Sequence, residues 1–169
     1  MVSDSLERQG AEAPRAKGRR KLRFDDWEDV LVDAEMLKAG GYDHASYGKL
    51  SLGQITSHLA TVLSGAVDSF PKLAPWPLRM FLRLVFLNKM QRHEPMNLRI
   101  KSPKSLAPPE ACEDNVGIEQ LRVAIERFRN HQGEYHPHMA FGTLSRDQWK
   151  HQQLWHCEHH LSFLLPKSD

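Results

Sequence analysis

A chain of 169 residues, 40% hydrophobic and 26% charged, has the balance of one soluble globular domain and is long enough to bury a core without staples. Its 23 Lys and Arg against 21 Asp and Glu leave a formal charge of +2, which excludes a strongly basic nucleic-acid binder as a whole-chain property. Two cysteines, Cys112 and Cys157, cannot form a disulfide framework, so a reducing cytoplasm is the expected setting.

Residues 1–22 offer little that can pack and read as a basic, disordered tail, followed by one domain over residues 23–166. Seven Lys/Arg against three Asp/Glu over residues 1–23 could touch RNA or anionic lipid, but so small a surplus is expected to be solvated, and no nucleic-acid partner is expected. The Arg19-Arg20 pair leads into Lys21-Leu22-Arg23-Phe24-Asp25-Asp26 rather than an apolar region, so it is not an export signal. Asp25 with Glu28 suggests a capping box. Trp27, Leu31, Ala34 and Leu37 then recur at helical spacing up to a stop at Gly40-Gly41. Ser51 opens a second helix on Leu52, Ile55, Leu59, Val62 and Ala66, ending near Ser69-Phe70-Pro71. Pro77 suits the first turn of a third, running from Trp76 to about Met90. This most apolar stretch is cut by Arg79 and Arg83 and falls short of the ~20 apolar residues of a membrane span. Its stripe suits a lid on the bundle, a homodimer seam or a membrane surface. Residues 93–116, with four prolines, read as a long loop.

Ile118, Leu121, Ala124, Ile125 and Phe128 mark the next helix. The last has Ser145 as cap, Gln148 at the box position and Leu144 and Trp149 at staple spacing, and should run to about Leu165, before Pro166. Nothing alternates with period two over a useful length. The expected fold is an all-α four-helix bundle with one additional short helix.

Ten histidines crowd toward the C-terminus. On a helical wheel Trp149, Gln153, His156, Cys157, His160, Phe163 and Leu164 share one arc of roughly 120°, which should face the core. His156 and His160 stack one turn apart on it, while Glu158 points nearly opposite. Two imidazoles side by side in a core either hydrogen-bond or share a divalent ion. His58 lies between Ile55 and Val62 on the apolar face of the second helix and can meet the pair if the two helices are neighbours. Three neutral imidazoles suit zinc, nickel or iron(II) and leave a position open for water or substrate, the pattern of catalytic rather than structural sites.

The segment Ser51-Leu52-Gly53-Gln54-Ile55-Thr56-Ser57-His58-Leu59-Ala60 resembles the second-helix motif of the DinB/YfiT-like superfamily. Trp155-His156-Cys157-Glu158-His159-His160-Leu161 resembles its last-helix motif, and His136-Pro137-His138-Met139-Ala140-Phe141-Gly142-Thr143-Leu144 resembles an uncharacterised bacterial branch described as a domain of unknown function. The similarity covers residues 22–166. It implies a four-helix bundle with a metal held by one histidine of the second helix and two of the last, which by position are His58, His156 and His160.

Known members of the superfamily include thiol-dependent S-transferases, a mycothiol-dependent isomerase and proposed metal hydrolases. The implied activity is a metal-dependent thiol S-transferase or hydrolase acting on a small molecule, with a low-molecular-weight thiol as a further cofactor. The alternative is a non-catalytic interaction or stress-associated bundle. Glu158 lies on the wrong face to serve as general base, and the His-Glu-x-x-His pattern is absent. Cys157 is a fourth ligand, a nucleophile or, as the more common case, a small buried apolar residue. His136 and His138 are candidates for a contact behind the ligands or for supplying a proton. His44, His93, His131, His151 and His159 show no partner in the sequence.

Overall fold

A computed structural model of the chain describes residues 18–46, 48–94 and 103–167. Five helices account for most of it: α1 (Trp27–Gly40), α2 (Leu52–Asp68), α3 (Trp76–Gln91), α4 (Asp114–Asn130) and α5 (Arg146–Leu161). A 3-10 turn spans Lys104–Leu106, and two short strands, β1 (Tyr42–His44) and β2 (Leu164–Pro166), pair antiparallel. The fold is an all-α bundle of α1, α2, α4 and α5, with α3 added against α5.

Local sequence explains most of the helix ends. Ser51 caps α2 and Ser145 caps α5, each bonded to the backbone of a Gln three residues on, whose side chain reaches back to the cap N–H. α1 starts one residue later than the expected Asp25–Glu28 box. Asp26 is the cap and Asp29 the returning carboxylate, accepting from the N–H groups of Asp25 and Asp26 at 2.9 and 3.0 Å. Glu28 pairs instead with Arg129 of α4, at 2.6 Å. Gly41 leaves α1 with φ +74°, a conformation that a side chain disfavours.

The core is built from Leu52, Ile55, Leu59, Leu63 and Ala66 of α2, Ile118, Leu121, Ile125 and Phe128 of α4, and Trp27, Val30, Ala34 and Leu37 of α1. α2 and α4 pack most closely, and two glycines permit it. A Cβ on Gly117 would stand 2.3 Å from the Gly53 carbonyl oxygen, and one on Gly53 would stand 2.3 Å from that of Cys112. α4 starts at Asp114, inside the stretch expected as loop, and the Asp114 carboxylate accepts from Gly53 N–H at 2.7 Å.

The C-terminus departs from the expected helix. α5 stops at Leu161, and β2 pairs Leu164 with His44, Leu165 with Asp43 and Pro166 with Tyr42. The pairing satisfies backbone groups that an extended helix would satisfy internally, and it turns Leu164 into the core. Pro166 is tolerated because it stands at the end of a two-stranded ribbon. Of the expected tail, residues 1–17 lie outside the described residues. Of the rest, Arg19, Arg20 and Leu22 contact the bundle. Arg20 pairs bidentately with Asp33 of α1 at 2.7 Å and donates to the Leu161 carbonyl, while Arg19 donates to Ser162 Oγ.

The lid expected of α3 forms only in part. Phe86 packs against Trp155 of α5, Met90 is buried and Leu82 is half-buried, whereas Trp76, Met80, Phe81, Leu84 and Val85 face outward. Arg79 and Arg83 turn toward the loop before α5, where Arg83 donates to the Thr143 carbonyl. Among the described residues no helix is long and apolar enough to cross a membrane.

Candidate metal centre

α2 and α5 cross so that His58 meets His156 and His160. The ring centre of His58 lies 5.3 Å from that of His156 and 4.9 Å from that of His160. The two α5 rings are 4.7 Å apart, with their Nε2 atoms facing each other at 3.0 Å. One nitrogen from each of the three rings falls within a cluster no wider than 4.8 Å. His58 is buried and the α5 pair half-buried. Each position follows from its helix: the Ile55–Val62 face of α2 is packed inward, and the i, i+4 step on α5 stacks two rings over one spot.

Burial, the largest effect, lowers the pKa of all three rings. On His58 the Leu106 backbone acts the other way. His156 and His160 lie well below the ordinary value of 6.5, because each also faces His58 and His159, and Arg19 adds its charge against His160. All three are therefore neutral near pH 7 and offer lone pairs. Nδ1 of His156 is buried without a hydrogen-bond partner, an arrangement that costs on the order of 1–3 kcal/mol.

These residues could hold a divalent transition ion. Zinc–nitrogen bonds of about 2.0–2.1 Å place tetrahedral ligands roughly 3.3 Å apart. The 3.0 Å between the two α5 nitrogens is close to that, and a separation at the 4.8 Å limit of the cluster would have to contract by about 1.5 Å. Uncharged imidazoles are the donors such ions take.

The other candidate residues lie elsewhere. Cys157 is buried, and burial pushes its thiol up, so it stays protonated and packs as a small apolar side chain. His138 is buried, and its Nδ1 accepts from the N–H groups of Ala140 and Phe141 at 3.1 and 3.3 Å. It is a turn-forming residue, and burial lowers its pKa to about 3. Its ring packs edge-on against Trp149. His136 is exposed and joins the fold through its backbone N–H, which donates to the Ala66 carbonyl.

Glu158 does lie away from the triad, as the wheel predicts, but it is buried rather than solvated. It accepts from Phe24 N–H at 2.9 Å and faces His93 Nδ1 at 2.5 Å. Burial raises its pKa, while Phe24, His93 and Arg23 pull it down. The sequence gives no sign of this pair, whose members are 65 residues apart. Of the remaining histidines, His44 faces the Leu50 carbonyl, His131 that of Glu134 and His151 that of Asp147, and His159 meets Arg19.

A groove of about 880 Å³ runs between α2 and α4, walled by Ser57, Thr61, Ser64, Val116 and Val123. Leu106 lines it too, with its backbone against His58, so groove and triad share one wall.

The model of one protein family, DUF1569, described as a protein of unknown function, matches residues 16–167. The chain belongs to the DUF1569 family. No curated protein and no solved structure matches it significantly. The DUF1569 match takes in all five helices and both strands.

Proposed function

We propose that His58, His156 and His160 of this DUF1569 protein together bind one divalent transition ion, zinc, nickel or iron(II), and that the site serves a hydrolase or thiol S-transferase acting on a small molecule. The observation that carries this is the convergence of three neutral imidazoles from two helices, two of their Nε2 atoms 3.0 Å apart. Relationship to the DinB/YfiT-like superfamily, suggested by the motifs around these residues, supports the same conclusion.

Three protein ligands leave room in the coordination sphere, as in catalytic rather than structural sites. The ion would supply Lewis acidity, making water or a thiol nucleophilic near neutral pH. The chain itself contributes a half-buried setting that keeps all three rings unprotonated, and two scaffold helices whose capped starts fix the ring positions. No general base is assigned, because Glu158 is engaged by Phe24 and His93.

Elemental analysis of tag-free protein tests the site. The expected result is close to one equivalent of a transition metal, and loss of stoichiometric uptake in His58→Ala and His160→Ala. Less than about 0.2 equivalents after zinc or nickel loading would sink the proposal. Cobalt-loaded protein then tests the chemistry: a change in its visible spectrum on adding a small thiol is expected of an S-transferase.

A second function, an interaction bundle without catalysis, is favoured by one observation, the outward apolar residues of α3. It predicts that the cobalt spectrum ignores both thiols and hydrolysable small molecules.

A further inference from the structure

Two polar atoms near the triad are buried without partners, one turn apart on α5, and their roles are complementary. One is Nδ1 of His156 and the other is Oε1 of Gln152. Gln152 is 4% exposed. It lies just beside the arc that carries His156 and His160, and its side chain is too enclosed to turn to solvent. As acceptors for His156 Nδ1 the other polar side chains nearby do not serve: His151 faces the Asp147 carbonyl, and the free atoms of Gln153 and Trp149, Nε2 and Nε1, are donors.

The tautomer of His156 follows from geometry. Its Nε2 faces His160 Nε2 at 3.0 Å, so Nε2 is the nitrogen turned toward the shared centre. A neutral imidazole that gives its Nε2 lone pair to an ion must carry its proton on Nδ1. That Nδ1–H then needs an acceptor, and ligating histidines nearly always have one behind them. Helical side chains lean toward the N-terminus, which lays the His156 ring over the turn that carries Gln152.

We infer that Gln152 is the positioning residue for His156, its Oε1 accepting the Nδ1–H once Nε2 is committed to an ion. This rests on the metal site proposed above. In the structure neither atom has a hydrogen-bond partner. Loading fixes the tautomer, and a rotation of the Gln152 side chain closes the contact. Gln152 thus supports the ion without touching it.

The test uses tag-free full-length chain and zinc alone, titrated against a competing chelator. Gln152→Leu should weaken zinc binding about 10–100-fold, the usual effect of losing an acceptor behind a ligand. Gln152→Glu, whose carboxylate also accepts, should restore it. In the presence of EDTA, Gln152→Leu should melt no lower than wild type, because Oε1 has no hydrogen-bond partner in the structure for the substitution to remove. A general packing role would lower that melting temperature. Nitrogen-15 spectra of zinc-loaded protein should show a slowly exchanging His156 Nδ1–H in wild type and Gln152→Glu, absent in Gln152→Leu. Equal zinc affinity for wild type and Gln152→Leu, or a Glu variant as weak as the Leu variant, would overturn the role of Gln152 and leave the metal site standing. A wild-type chain that takes up no zinc would overturn both.

Discussion

Trp155 of α5 is 3% exposed and Trp76 of α3 is 67% exposed, although the two helices touch. The same side chain is spent in opposite ways. α5 lies among α1, α2 and α3, so nearly its whole circumference is buried, including Gln152, Gln153 and Glu158. α3 touches α5 along one side and keeps Phe81 and Leu84 at 61% and 73% exposure. Its arginines face inward toward the His138–Leu144 loop, where one finds a carbonyl. Number of neighbours, more than hydrophobicity, thus decides what a helix buries. A polar residue on a surrounded helix is forced to find a partner, and an apolar residue on a flanking helix is left without one.

The sharpest way to break this comparison is acid, because the described rings that burial holds at lowered pKa lie on α2, α5 and the loop before α5. His138, packed on Trp149 of α5, has a pKa of about 3 when folded against an ordinary 6.5. Above pH 6.5 neither state binds the proton, and the contribution of this ring to stability is fully present. As pH falls from 6.5 to 3, the unfolded chain takes up a proton that the folded ring refuses. Stability drops by up to about 1.4 kcal/mol per pH unit, at most about 4–5 kcal/mol in all. His58, His156 and His160 are lowered for the same reason and steepen the slope. His138→Asn keeps an acceptor for the two backbone N–H groups, and urea unfolding between pH 7 and 4 should show its slope reduced by about one proton. An unchanged slope would refute the burial of that ring.

The tryptophans come next. Trp155→Ala should cost about 3–5 kcal/mol, since it opens a cavity and leaves the Glu94 carbonyl without the indole N–H. Trp76→Ala should stay within about 0.5 kcal/mol. Denaturant midpoints of the two variants measure the difference, and similar losses would mean that α3 is covered in solution. The smallest effect concerns the helix starts. Ser145→Ala removes the side-chain cap of α5 and should cost about 1 kcal/mol. Pro75, at the cap position before α3, offers no side-chain cap to lose. Hydrogen exchange of the first-turn amides should rise in Ser145→Ala at Gln148, whose N–H the serine oxygen accepts.

Much of this was legible in the amino-acid order alone. Apolar spacing located the faces of α2 and α4, and Ser51–Gln54 and Ser145–Gln148 marked two starts, because capping and periodicity are local and involve residues three or four apart. The same spacing put His58 on an inward face and stacked His156 over His160. Tertiary structure decided whether those faces meet, and several things besides. Glu28 points away from the cap to Arg129, 101 residues away, while the cap at Asp26 puts Asp29 at the box position. The C-terminus leaves α5 for a strand because β1 offers backbone partners. Glu158, read from its wheel position as pointing away from the core, is buried because Phe24 and His93 arrive from elsewhere in the chain. A helical wheel knows only one helix. What a side chain touches depends on which helices surround it, and that is fixed by long-range packing rather than by any local run of residues.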